Sequence, residues 1–418
     1  MTQPLLAAVL IVKDEAESIS RVLASVEGVV DFVVVLDTGS TDGTQEIVRR
    51  CLREFDDKCE ASTQRHSWLY EEPFVSYAKV PGNVIDFAGT RNRCLELHDA
   101  LAERAVFTIS LSGDETLHNG AALREYLETR RFDKDDAYCI QMVMGTKTWL
   151  YPRILRTGAG RRYVGAIHEM PVGLQGQKDG PLIPGVYVEH KAADETKLFK
   201  RLREVDLPIL TQVASDKSVT PQERARAVLF LAETHASLAV AEPREPGSAW
   251  LSHQMAAMAC YLRRIELAGG GLDGGNGDYD VAYAMFHYLN AAESIGRNGA
   301  GRLLFYTSEE LVARLQDLVA LDPRRPEARF MLANHTKLMG DYRRAAPLAM
   351  EAVRVAREAR EKLLNYPTDT RVEWLALRVA CECAVEMKNP KRARELAERA
   401  VFNGAPRAVF EAWLGAAS

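Results

Sequence analysis

The change of residue vocabulary after Lys191 constrains this 418-residue chain more than any other feature. Before it, short β-branched runs alternate with amphipathic stretches. Leu5 to Val12, Phe32 to Leu36 and Ala105 to Leu111 read as buried strands, and Ile19, Val22, Leu23 and Val26 recur at helical spacing. After it, β-branched runs vanish, Ala, Leu, Glu and Arg dominate, and nearly everything from Glu195 onward can be drawn as amphipathic helices. The expectation is an α/β domain over residues 1–192 and an all-α domain over residues 193–418.

Strands alternating with helices up to Leu111 predict a parallel, doubly wound sheet. Ile47, Val48 and Cys51 share one face of a helix after the second strand, and Phe87 to Arg93 opens a third helix. Asp56 to Val84 is poorly patterned, with a short strand expected around Tyr77 to Val80. Ala137 to Val143, Thr148 to Leu155 and Val186 to His190 read as later strands, and Asn119 to Arg130 as a helix. In the second half, Thr220-Pro221 marks a helix start and Gly269 to Gly277 a surface loop. Pro326 to Ala333, Gly340-Asp341-Tyr342, Ala345 and Ala349 to Ala352 together resemble one tetratricopeptide repeat. Weaker echoes lie at Ala225–Leu238, Ala282–Gly296 and Ala376–Ala400.

Composition serves mainly to exclude. A formal net charge of -5 argues against nucleic-acid or anionic-membrane binding as the main business of the chain. Seven scattered cysteines without a Cys-x-x-Cys pair favour reduced thiols over disulfides or a zinc site. The apolar run from Leu5 to Val12 has no basic region before it and stops at Lys13-Asp14-Glu15, so it is expected to be a strand rather than a signal peptide. No apolar run approaches the ~20 residues of a membrane span, and a cytoplasmic location is expected.

Four polar clusters fall beside turns that such a sheet would bring together: Asp37 to Thr44, Arg91, Ser112 to Glu115, and His168-Glu169 with His190. A carboxylate at a strand tip accepts hydrogen bonds from a base or ribose. The Arg91 fork suits a diphosphate or a base carbonyl, and Asp114 suits a hard divalent cation. Each has a plainer reading: Arg91 as a surface helix residue, Asp114 and Glu115 as caps of the helix near Asn119, and the histidines as packed side chains.

In order, Ile11-Val12-Lys13-Asp14-Glu15, Val35-Leu36-Asp37-Thr38-Gly39-Ser40-Thr41-Asp42-Gly43-Thr44, Phe87 to Asn92, Ser112-Gly113-Asp114-Glu115 and Ile167-His168-Glu169 resemble the signature blocks of glycosyltransferase family 2. The nearest branch carries tetratricopeptide-like helices after the catalytic domain. The resemblance implies a GT-A (Rossmann-like) sheet, a nucleoside-diphosphate-sugar donor such as a UDP-sugar, a divalent cation (Mn or Mg) and an inverting single displacement. By motif it puts Val12, Lys13, Glu15 and Asp37 beside the nucleoside and Arg91 near base or diphosphate. Ser112 and Gly113 line the donor side, Asp114 holds the metal with His190 completing the site, and Glu169 of the His168-Glu169 pair acts as general base. Two positions depart from the pattern: Ser112 stands where the family has Asp, and Asp14 where it has Asn.

Two other readings stay open. One is an inactive transferase-like scaffold whose repeats bind protein; the other is a nucleotidyltransferase, although Lys13-Asp14-Glu15-Ala16 stands where its Gly-rich phosphate loop belongs. A peptide, protein or glycan acceptor suits the repeats. Arg153, Arg156, Arg161 and Arg162 form a basic cluster that could receive a phosphate-bearing acceptor, including nucleic acid. The helical half is expected to bind acceptor, to form a homodimer, or to support the sheet domain.

Overall fold

The structure is a computed structural model that describes residues 3–58, 66–76, 85–173, 180–191, 195–245, 248–267, 279–296, 306–362 and 368–415. The strand expected at Tyr77 to Val80 and the loop at Gly269 to Gly277 lie outside these residues. The chain divides into two compact units: Met1–Gly145 with Trp149–Lys197 and Asp216–Glu223, and Thr146–Thr148 with Leu198–Ser215 and Arg224–Ser418.

The first unit contains β1 (Leu6–Val12), α1 (Ile19–Val26), β2 (Phe32–Asp37), α2 (Thr44–Lys58), β3 (Trp68–Glu71), α3 (Phe87–Asp99), β4 (Phe107–Ser112), β5 (Glu115–His118), α4 (Gly120–Thr129), β6 (Ala137–Met144), β7 (Lys147–Arg156), β8 (Arg162–Val164), β9 (Met170–Val172) and β10 (Leu182–His190). The large sheet runs β3-β2-β1-β4-β7-β6-β10-β5, while β8 and β9 pair separately. β1 lies parallel to β2 and β4, with Val12 opposite Asp37 and Ile11 opposite Ser112.

Period-two alternation divides β1 and β2 between two cores. Leu6, Ala8, Leu10, Val12, Val33 and Val35 pack with α1, α2 and α4 through Ile19, Val22, Val48, Leu52, Leu123 and Leu127. Ala7, Val9, Ile11, Phe32, Val34 and Leu36 pack on the other side with Ala88, Cys94, Leu95 and Leu97 of α3. Burial on both faces is why these strands read as continuous apolar runs.

The sheet is mixed rather than wholly parallel as expected. β6 turns directly into β7 at Gly145, whose φ of 57° is left-handed, and such a tight connection requires antiparallel neighbours. β7 is consequently antiparallel to β4, with Ile154 opposite Ile109. β5, a strand that the sequence pattern did not announce, pairs antiparallel with β10, placing Glu115 opposite His190.

The second unit is helical: α5 (Glu195–Arg201), which begins in the first unit, continues through a π-helical turn (Leu202–Asp206) into α6 (Leu207–Ser215). Then follow α7 (Pro221–Ala241), α8 (Trp250–Leu267), α9 (Tyr279–Gly296), α10 (Ser308–Leu321), α11 (Pro326–Leu338), α12 (Tyr342–Lys362), α13 (Val372–Glu386), α14 (Pro390–Phe402) and α15 (Arg407–Leu414). α7 starts at the expected Thr220-Pro221, where the Glu223 amide donates to Thr220 Oγ1 and the Thr220 amide to Glu223 Oε2. Thr307 and Glu310 close the same box on α10.

Alanines at 333, 345, 349, 352, 376, 380, 384, 393, 397 and 400 fill one core, so the backbones of α11 to α14 approach closely. The turns ending α11 and α13 are copies. Met339, Gly340 and Asp341 amides donate to the carbonyls of His335, Lys337 and Thr336, while Met387, Lys388 and Asn389 amides donate to those of Cys383, Val385 and Ala384. Gly340 (φ 83°) and Lys388 (φ 57°) hold the same left-handed position. None of the described helices is long and apolar enough to cross a membrane, and the six described cysteines are free thiols.

Candidate functional site

In an open α/β sheet ligands bind at the carboxyl ends of the strands, where the strand order reverses. In the order β3-β2-β1-β4 that point lies between β1 and β4, and the loops leaving β1, β2 and β4 meet there. The first two are stitched together: the Asp14 amide donates to Ser40 Oγ (2.9 Å), the Thr41 amide to Asp14 Oδ1 (2.7 Å), the Glu15 amide to Thr44 Oγ1 (2.8 Å) and the Ala16 amide to Asp42 Oδ2 (3.0 Å). Asp14 adopts φ 54° and serves as the pin of this junction. Lys13 sends its ammonium over the Phe74 ring, 5.1 Å from the centroid.

Asp37 is completely buried, and its own turn surrounds it. Oδ1 accepts from the amides of Gly39 (3.0 Å) and Ser40 (2.9 Å) and from Gln45 Nε2 (2.8 Å), while Oδ2 accepts from Ser40 Oγ (2.5 Å). Burial pushes its pKa up, but these donors outweigh it and hold the carboxyl below the ordinary value. Asp37 thus shapes the loop first, and a ligand meets the loop it organises.

The turn after β4 is braced from below. Glu115 Oε2 accepts from the Ser112 amide (2.8 Å), and its Oε1 pairs with Arg153 Nη2 (2.5 Å), whose Nη1 reaches the Ser110 carbonyl (3.2 Å). Gly113 is there because a Cβ would come within 2.5 Å of Glu15 Cγ. Burial and the neighbouring Asp114 charge push the Glu15 carboxyl above its usual range against a hydrogen bond from Ser18. The braced turn presents Asp114, whose Oδ2 lies 2.7 Å from His190 Nε2. Burial opposes charge on His190, but Asp114, aided by Glu115, raises its pKa above the ordinary imidazole value.

α3 carries the segment around His168 through three ties. The Phe87 amide donates to the Ala166 carbonyl (3.0 Å), the Asn92 amide group exchanges two hydrogen bonds with the Tyr163 backbone (2.8 and 2.9 Å), and Arg91 Nε pairs with Glu169 Oε1 (2.5 Å). The rest of the Arg91 fork goes to Ser110 Oγ (3.1 Å) and Ser112 Oγ (2.8 Å). Both side chains of the ion pair are largely buried, at 7% and 14% exposure. Burial would raise the Glu169 pKa, but the Arg91 charge overrides it and holds it below the usual range. His168 is exposed and left-handed, with φ 53°.

The residues singled out from sequence therefore gather in two groups: Val12, Lys13, Glu15, Asp37, Ser112, Gly113, Asp114 and His190 around the strand ends, and Arg91 with His168 and Glu169 beside α3. Glu169, expected as the general base, has its pKa drawn down by Arg91. Glu115 caps its own turn, not α4, whose N-cap position is Asn119. The basic cluster also dissolves. Arg153 is buried against Glu115, Arg161 is bidentate to Asp136 (3.0 and 3.1 Å), and Arg156 donates to the carbonyls of Asp135, Arg131 and Arg130. Of the four, Arg162 is the one left largely exposed. The brace of Arg153 and Glu115 escaped the sequence reading. Its signal was the alternation Glu115-Thr116-Leu117-His118, which puts Glu115 on the buried face beside Leu117 and so demands a cationic partner.

No family model matches the chain, and no curated protein matches it. Solved structures that resemble it in part are tetratricopeptide-type proteins. MamA from Desulfovibrio magneticus RS-1 is 13% identical, covers 50% of this chain and 94% of its own, and has a TM-score of 0.31. A thermophilic TPR protein from Thermus thermophilus is 14% identical over 53% and 95%, with a TM-score of 0.30. A kinesin light chain with nearly identical TPR-like repeats from Podosopora anserina is 14% identical over 53% and 96%, with a TM-score of 0.32.

Proposed function

We propose that the α/β unit is a GT-A glycosyltransferase that moves a sugar from a nucleoside-diphosphate donor, a UDP-sugar by family resemblance, to a peptide, protein or glycan acceptor. The observation that carries this reading is the meeting of three ordered blocks, Val12–Glu15, Asp37–Thr44 and Ser112–Glu115, at the carboxyl ends of β1, β2 and β4. In this reading the stitched β1 and β2 loops cradle the nucleoside. Among the described residues no group of three or more His, Cys, Asp or Glu is placed to hold a metal ion. Asp114 and His190 nonetheless form a half-exposed oxygen and nitrogen pair, fit for Mn²⁺ when donor oxygens and water complete the shell. The bound cation would offset charge on the leaving diphosphate.

Glu169 takes the acceptor proton in this reading, and its pairing with Arg91 sets a condition. A donor diphosphate that claims the Arg91 fork removes the charge that lowers the Glu169 pKa, so base strength rises with donor occupancy. The helical unit is the proposed acceptor-binding or self-association surface.

The test is hydrolysis of a panel of nucleoside-diphosphate sugars by the purified protein with Mn²⁺ or Mg²⁺. Slow turnover of one donor, lost in Asp114→Ala, is the expected result; absence of binding and turnover with every donor and metal overturns the transferase reading. Then the second reading, a transferase-like scaffold, takes its place. It is favoured by one observation: Arg91 and Asp37 are both engaged by their own surroundings.

A further inference from the structure

α7 and α8 form an antiparallel pair with small residues along the seam. Leu229 and Ala232 of α7 share a core with Ala257 and Tyr261 of α8, joined by Ala236 and Cys260, and Ala239 shares a second core with Trp250 and Met258. Between those two cores the seam holds His235 and His253. Their Nδ1 atoms stand 3.0 Å apart, with ring centroids at 5.3 Å and planes inclined by 41°. Both residues are half-buried and reachable from solvent.

We propose that His235 and His253 form a two-imidazole site for a borderline divalent transition-metal ion of the Cu²⁺, Ni²⁺ or Zn²⁺ class, clamping α7 to α8. Nδ1 atoms this close share one proton or one metal ion. An ion bound at about 2.0–2.1 Å sets two neighbouring imidazole nitrogens about 2.9 Å apart in a square plane and about 3.3 Å apart in a tetrahedron. The observed separation lies inside that interval, so the spacing of the two nitrogens already matches a shared ion and ring rotation is what aims both at it. Burial, with His253 adding to it, lowers the His235 pKa, which keeps the ring neutral as ligation requires. Because no group of three ligating side chains occurs among the described residues, water completes the coordination.

Cu²⁺ is the sharpest probe, since nitrogen ligands bind it most tightly in the divalent series. The titration uses full-length protein carrying Asp114→Asn, which disables the Asp114–His190 pair, and the two histidine variants in the same background report on α7 and α8 alone. The expected result is one bound equivalent whose electron paramagnetic resonance spectrum shows coupling to two nitrogens. That equivalent is lost in both His235→Gln and His253→Gln, with helical circular dichroism retained. Zn²⁺ should also raise the melting temperature of the parent and not of either variant. Copper stoichiometry unchanged by both substitutions, or a one-nitrogen spectrum, overturns the site. The donor-turnover assay is unaffected by either outcome, so the two proposals stand or fall separately.

Discussion

The loops of the α/β unit and the last helices of the second unit rely on charge to different degrees. In the α/β unit, buried ion pairs join segments distant in sequence: Arg91 to Glu169 across 78 positions, Arg153 to Glu115 across 38 and Arg161 to Asp136 across 25. The last helices bury alanine, and many of their charges meet on the surface within one turn, as in Arg394 with Glu398 and Arg392 with Glu395. Where loops must be held in fixed relation, long-range charge pairs define the geometry; where helices stack, small residues set the approach, with Glu373 held by Arg357 and Arg360 and Lys337 by Glu382 as the pairs that tie one helix to another. A buried pair is a costly way to hold two segments, since desolvation opposes it, but it penalises any arrangement that separates its partners.

The contrast predicts a graded series. Arg91→Met, which strands the Glu169 carboxylate, should cost about 3–5 kcal/mol in urea unfolding, and most of it should return in the Arg91→Met/Glu169→Met double variant. If the double variant is no better, the pair does more than balance charge. Gly113→Ala should cost about 1–3 kcal/mol, because the new methyl must displace the Glu15 stem, and should weaken donor binding measured by calorimetry. Lys388→Gly should stabilise by about 1 kcal/mol by relieving a left-handed backbone that Gly340 adopts freely in the matching turn; no gain in melting temperature would break the equivalence of the two turns.

The pH dependence of the Asp114–His190 pair should be smaller, since both partners are half-exposed. The His190 pKa is raised in the folded state, so its contribution is complete below the unfolded value of about 6.5 and is lost as pH rises through the folded value. Unfolding of His190→Gln and the parent should therefore differ most in acid and converge above that window. Arg394→Ala should change stability by no more than about 0.3–0.5 kcal/mol, and a larger loss would end the contrast between the units.

β1, β2, β4 and helices α1 to α3 were legible because each of those strands is buried on both faces and each helix on one, so burial writes itself into periodicity. β3, only partly buried at the edge of the sheet, carries no such pattern and was missed. Ile19, Val22, Leu23 and Val26 line the buried face of α1 as their spacing predicted. The antiparallel β7 and β5 were hidden, because strand direction depends on turn geometry at Gly145 and on pairing with β10, neither of which alters the local pattern. The candidate residues were found by type and order. Their wiring was not: that Arg91 spends its fork on Glu169, Ser110 and Ser112 follows from three segments meeting, and no window of sequence contains it. Arg153, Arg156 and Arg161 misled for the same reason, as their acidic and carbonyl partners lie 10 or more positions away.

The matching turns at Gly340 and Lys388 carry a consequence for which lengths the helical unit can take. Since α11 leads into its turn as α13 does, and α12 leaves as α14 does, residues 341–388 can be excised so that Gly340 joins Asn389 with the turn intact. Inserting a second copy of that segment is the mirror operation. The repeat of one turn thus sets a spacing of one module along the helical unit, and a change of length by that spacing leaves the hydrogen bonds of the turn unchanged.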